Sequence, residues 1–114
     1  DTRVATACGA PLSSAHAGRS ILMAHKTGHF AIIEQFLADG ITHMFGNPGT
    51  VEQGFLDALR AYPQMKYILT LQESIAVLAA DGHARATQKP TLVQLHSSPG
   101  IGNGVGALYQ AKRG

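Results

Sequence analysis

ITHMFGNPGT, residues 41–50, passes from an apolar run through a tight turn to a helix-capping hydroxyl. Ile41 to Phe45 has the apolar and β-branched content of a short strand. Gly46, Asn47, Pro48 and Gly49 then supply the turn chemistry that ends it. Thr50 is placed to cap a helix from Val51 to Ala61, with Glu52 in the first turn, where the helix dipole favours negative charge. A strand that feeds directly into a helix is the opening half of a strand-helix-strand unit, which belongs to parallel sheets.

Upstream, Phe30, Ile33, Leu37 and Ile41 recur at helical spacing with Glu34, Gln35 and Asp39 on the other side, and Gly40 stops that helix. Downstream, Pro63 follows the second helix, and Lys66 to Thr70 forms the next strand. Glu73 to Thr87 is a third helix, Thr91 to Leu95 a third strand after the Lys89-Pro90 break, and a fourth helix begins near Gly102. This order predicts an α/β fold, a parallel sheet with helices on both faces joined by right-handed crossovers. Three strands are few for such a sheet, and the last helix should feed another, so the expectation over residues 29–114 is an incomplete domain. Residues 1–28, rich in Ala, Ser, Gly and Thr and lacking periodicity, read as a flexible tail with Met23 as a candidate natural start.

The 114 residues, 45% hydrophobic and 14% charged, suit one soluble globular domain with a modest core. The longest apolar run, Ile75 to Ala80, has six residues, far short of the ~18–20 that a membrane-spanning helix needs. The net charge of +2 sits at the N-terminal end, where Asp1 faces Arg3, Arg19 and Lys26, while residues 29–114 carry six charges of each sign. A balanced body without a basic face argues against nucleic acid as the main partner. Cys8 is alone, which rules out an internal disulfide or a cysteine metal pair and accords with a reducing cytoplasm. No metal site is expected: His25 and His29 have helical ligand spacing, but Gly28 lies between them and no carboxylate lies within four residues of either.

In a parallel sheet the loops leaving the carboxyl ends of the strands share one edge, where ligands bind. Here those loops are Gly46–Thr50, Leu71–Glu73 and His96–Asn103, and they gather Asn47, Thr50, Gln72, Glu73, His96, Ser97, Ser98 and Asn103. Topology thus brings a carboxylate, an imidazole and hydroxyls together without a metal motif. Each residue also has a plain structural role. Glu73 starts a helix, Thr50 caps one, His96 ends a strand, and Asp81 with Arg85 has the spacing of a helix-surface ion pair. Gly102-x-Gly104-x-x-Ala107 is a variant of the dinucleotide fingerprint, but it begins well past Leu95 instead of in the turn after the strand. The small residues Ala76, Ala79, Ala80, Gly82, Ala84 and Ala86 predict close packing of the third helix against another helix or subunit.

FGNPGT at Phe45 to Thr50, LQES at Leu71 to Ser74, ADGHARATQKP at Ala80 to Pro90 and LHSSPGIGNGVGALYQAKR at Leu95 to Arg113 follow one another with characteristic spacing. Together they resemble the N-terminal pyrimidine-binding domain of thiamine-diphosphate-dependent enzymes, over about Gly28 to Arg113. Within that family the pattern is most similar to the benzoylformate decarboxylases, with acetolactate-synthase-type enzymes further off. The resemblance implies thiamine diphosphate as cofactor and a small 2-oxo acid as substrate. It places Glu73 on the glutamate that hydrogen-bonds N1′ of the aminopyrimidine and promotes loss of the thiazolium C2 proton. It places His96 and Thr50 on the positions that relay protons and hold the substrate carboxylate, so Glu73, His96 and Thr50 are the catalytic candidates. Asn47, Pro48 and Gly49 match the loop that lies against the cofactor, and Gly102 and Asn103 the loop beside it.

Gln72 stands where many relatives have histidine, His83 where tyrosine is common, and Thr50 where benzoylformate decarboxylases are expected to have serine. The family's second domain, which holds the diphosphate through Mg2+ with a Gly-Asp-Gly signature, has no counterpart in these residues. The resemblance therefore implies half of a composite site, completed in a homo-oligomer or by a partner chain carrying the diphosphate-binding domain. An acetolactate-synthase-like carboligase segment and a non-catalytic subunit-docking module are the alternatives, and a nucleotide-binding domain built on the glycine run is a third.

Overall fold

A computed structural model describes residues 26–114; Cys8, Met23 and His25, and with them most of the expected tail, lie outside the described residues. The chain forms α1 (Gly28–Ala38), β1 (His43–Asn47), a 3-10 turn (Thr50–Glu52), α2 (Gln53–Leu59), β2 (Lys66–Leu69), α3 (Glu73–Thr87), β3 (Leu92–Leu95) and α4 (Ser97–Arg113). The three strands are parallel, in the order β2-β1-β3, and Gly46 of β1 pairs with Leu69 on one side and Gln94 on the other.

Successive residues of β1 point to opposite faces of the sheet. Met44 joins Ile33 of α1 and Ala58 and Leu59 of α2 in one buried cluster. Phe45 joins Ala76 and Ala80 of α3 in the other. Helices therefore cover both faces, as the sequence predicts. The α2 crossover carries the chain from β1 to β2 over one face, and α3 returns it past β1 to β3 over the other. Strand order reverses at β1, which opens a crevice between the carboxyl ends of β1 and β3, the place where open α/β sheets bind ligands.

Three elements have corrected bounds. β1 runs from His43 to Asn47 and not from Ile41 to Phe45: Gly46 and Asn47, expected in the turn, pair as strand residues, while Ile41 is tied to the end of α1. Its N–H reaches the Phe36 carbonyl at 2.9 Å and that of Gly40, at φ 78°, reaches Leu37 at 3.0 Å, which is a left-handed glycine stop. Thr50 does not cap α2: Gly49 precedes the 3-10 turn that Thr50 opens, and α2 runs only from Gln53 to Leu59. The expected loop His96–Asn103 is helical, since α4 begins at Ser97 and not near Gly102. Ser97, at φ 58°, turns the chain directly from β3 into the helix. Pro99 is accommodated because the first turn of a helix needs no donor from it. Gly102 and Gly104 lie inside α4, so the glycine run does not form the phosphate-binding turn of a dinucleotide site.

The predicted close packing of α3 is against α4. Val77 meets α4 there, since a Cβ on Gly104 would stand 3.4 Å from Val77 Cγ2 and 3.1 Å from Leu95 Cδ1, while Ala76 and Ala80 are buried against Phe45 of the sheet. Both helices also carry outward apolar residues, Ile75 and Leu78 on α3 and Ile101, Val105 and Leu108 on α4, each about half exposed. Asp81 and Arg85 form the expected pair, with Arg85 Nε 2.8 Å and 2.9 Å from the two carboxylate oxygens.

Candidate functional site

Glu73 opens α3 at the carboxyl edge of the sheet and is only 7% exposed. Its position is set by the helix start. The Gln72 side chain accepts the Ser74 N–H at 2.7 Å and the Ile75 N–H at 3.3 Å, capping α3, while Ser74 Oγ donates to the Asn103 carbonyl at 2.6 Å and ties α3 to α4. Gln72 is thus a cap, which gives a structural role to one of the departures from the family pattern.

Each Glu73 oxygen accepts one amide N–H, from Asn47 Nδ2 to Oε1 at 3.1 Å and from Asn103 Nδ2 to Oε2 at 3.0 Å. One donor comes from the end of β1 and the other from α4, so the turn and the helix converge on one carboxylate. Asn103 first, then the residue's own N–H, with smaller help from Asn47 and His96, hold the Glu73 carboxyl below the usual 4.5 against the opposing effect of burial. Gly100 makes the enclosure close, because a Cβ there would be 3.2 Å from Oε1.

His96, at the end of β3, faces the same crevice from the other side. Its Nδ1 lies 2.9 Å from Glu52 Oε2 and 3.2 Å from Oε1, and Glu52 Oε2 also accepts the Gly49 N–H at 2.8 Å. Burial pushes the Glu52 carboxyl up, but the Gly49 N–H and His96 outweigh it, and its pKa is lowered overall. Gly49 has no room for a side chain, because a Cβ would overlap the His96 ring. On the α1/α2 side of the sheet Tyr67 donates to Gln94 Oε1 at 2.5 Å. Burial, then the Glu52 charge, pushes its hydroxyl up to about 12.

Among the sequence candidates, Glu73, Asn47 and Asn103 are in direct contact, and His96 stands beside them with Gly49 against its ring. Thr50 is exposed and makes no side-chain hydrogen bond among the described residues, Pro48 is half-buried in the turn, and Gly102 lies on an open face of α4. Glu52 was expected only as a helix-dipole residue, and its contact with His96 is new. The signal was its place in the first turn after FGNPGT, on the same sheet edge as His96. Among the described residues no group of three His, Cys, Asp or Glu side chains is arranged to hold a metal.

The family described as "Thiamine pyrophosphate enzyme, N-terminal TPP binding domain" matches residues 26–114. The chain belongs to this family. Relatives include a protein described as acetolactate synthase large subunit IlvX of Mycobacterium tuberculosis, 45% identical over 86 residues, or 75% of this chain and 17% of the relative. The benzoylformate decarboxylase of Pseudomonas aeruginosa is 45% identical over 87 residues, 75% of this chain and 16% of that enzyme. Among solved structures, a thiamin diphosphate-dependent enzyme isolated from Mycobacterium smegmatis superposes with a TM-score of 0.65 at 45% identity, over 73% of this chain and 16% of the other. Benzoylformate decarboxylase from Polynucleobacter necessarius gives 0.62 at 34% identity, over 70% and 15%. The chain therefore spans about a sixth of the relatives it matches, and those relatives carry both decarboxylase and acetolactate synthase names.

Proposed function

We propose that this segment supplies the cofactor-activating carboxylate of a thiamine-diphosphate-dependent 2-oxo-acid decarboxylase. The carrying observation is Glu73, a nearly buried carboxylate at the strand-order reversal with one amide donor on each oxygen. The two amides keep it ionised and aimed, yet leave each oxygen lone-pair capacity for an incoming N–H. That donor set fits an aminopyrimidine ring that offers an N–H, with Asn47, Pro48 and Gly49 on one side and Asn103 on the other.

When bound, thiamine diphosphate supplies the electron sink for breaking a bond beside a carbonyl. Glu73 holds a proton at the pyrimidine ring. His96 moves a proton at the substrate, and Thr50, exposed at the mouth of the crevice, binds the substrate carboxylate. The diphosphate and Mg2+ are assigned to residues outside this segment. Its outward apolar residues on α3 and α4 are assigned to contact with the domain or second subunit that completes the site.

The 45% identity to a protein described as an acetolactate synthase subunit favours carboligation as the second reading. The two differ in product. Incubating the enzyme that carries this segment with benzoylformate or pyruvate, thiamine diphosphate and Mg2+ should release carbon dioxide and the free aldehyde. A product that retains a newly formed carbon-carbon bond as the main species would instead establish the carboligase.

A further inference from the structure

The proposed function leaves Glu52 without a task, although this carboxylate touches both the FGNPGT turn and the end of β3. Its Oε2 accepts the Gly49 N–H at 2.8 Å while lying 2.9 Å from His96 Nδ1, and Oε1 lies 3.2 Å from the same nitrogen. The Glu52 side chain is 17% exposed and that of His96 35%, so the contact is sheltered while part of the ring stays open. An ionised carboxylate only accepts hydrogen bonds, so the proton in this contact sits on Nδ1.

Resting on the decarboxylase reading, we propose that Glu52 is the positioning residue of His96, fixing the neutral ring as its Nδ1–H tautomer and leaving Nε2 as the nitrogen that exchanges a proton with substrate. Nε2 makes no hydrogen bond among the described residues. Competing partners are already engaged: Glu73 accepts from Asn47 and Asn103, and the Tyr67 hydroxyl donates to Gln94. Gly49 closes the geometry, since its missing Cβ lets the ring lie on the turn that also orients Glu52. When Nε2 takes up a proton the ring becomes an imidazolium whose charge faces Glu52. When the same proton is returned, Nδ1–H is unchanged. A solvent-exposed imidazole prefers the opposite tautomer, with the proton on Nε2, so the carboxylate reverses an intrinsic preference.

The test is 15N NMR of the histidine ring nitrogens together with kinetics. In the wild-type protein the neutral His96 ring should show a pyrrole-type Nδ1 and a pyridine-type Nε2. Glu52→Gln keeps the size and the acceptor for Gly49, but its amide donates to Nδ1 and should move the ring proton to Nε2. In the cofactor-loaded enzyme the same variant should lower turnover by about 10²–10⁴-fold and leave exchange of the cofactor C2 proton unchanged. A wild-type ring protonated on Nε2 overturns the proposal without any variant. So does a tautomer switch with unchanged turnover, provided His96→Ala is slow. If His96→Ala turns over normally, the role given to His96 in the decarboxylase reading fails instead, and the role of Glu52 falls with it.

Discussion

A methyl group on Gly46 would overlap the Tyr67 hydroxyl and stand 2.8 Å from Gln94 Oε1. Tyr67 crosses the sheet diagonally over this glycine to donate to Gln94, so three neighbouring strands meet through one missing side chain. Gly46→Ala should therefore lower stability by about 1–3 kcal/mol in urea unfolding, through displacement of the tyrosine and loss of its hydrogen bond. Ile33, with no exposed surface, anchors the same side of the sheet, and Ile33→Ala should lower stability by about 2–5 kcal/mol. Both glycines of FGNPGT read in the sequence as turn formers. The structure puts Gly46 inside β1 and only Gly49 in the turn, and gives both another reason, the close approach of Tyr67 to Gly46 and of His96 to Gly49. A turn signal is local and readable, whereas a neighbour arriving from another strand is not.

At the level of elements, each of the three strands and four helices was legible from periodicity, and the errors fall at their ends. Phe30, Ile33 and Leu37 announced α1 by spacing, but the glycine stop that claims Ile41 depends on backbone bonds that spacing does not report. The start of α4 was hidden because Ser97, Pro99 and four glycines have low helix propensity, roughly 0.5–1 kcal/mol per glycine relative to alanine. Packing overrides that preference: Gly100 and Gly104 let α4 approach Glu73, Leu95 and Val77. Gly104→Leu should accordingly separate α3 from α4, lower stability by about 1–3 kcal/mol and pull Asn103 from Glu73. A thermal melt reads the first effect. Weaker thiamine diphosphate binding by the assembled enzyme reads the second.

Over the whole molecule the carboxyl edge was legible as a candidate site because topology alone gathers it, and the structure places Glu73, His96, Asn47 and Asn103 along it. The pairing within the set was not, since the distances that join Asn103 to Glu73 and Glu52 to His96 depend on α4 beginning at Ser97 and on the 3-10 turn after Gly49. These contacts also predict the pH response. Asn103 holds down Glu73, the Gly49 N–H and His96 together outweigh burial at Glu52, and Lys26 holds down Glu34, so all three titrate below 4.5. Their contribution is present above that value and is lost as pH falls through the lower folded values. Glu34 in contact with Tyr62, and burial of Tyr67, raise both hydroxyls from 10 to about 12. Between those values the folded state keeps protons that the unfolded chain has released, so stability falls as pH rises. Melting temperatures should be lower at about pH 3 and about pH 11 than at about pH 7. Activation of the cofactor by the Glu73 carboxylate is read by deuterium exchange at C2 of thiamine diphosphate in the assembled enzyme carrying Glu73→Gln. Exchange should be slowed by about 10²-fold or more, with His96→Ala exchanging at the wild-type rate. Wild-type exchange in Glu73→Gln would contradict that activation.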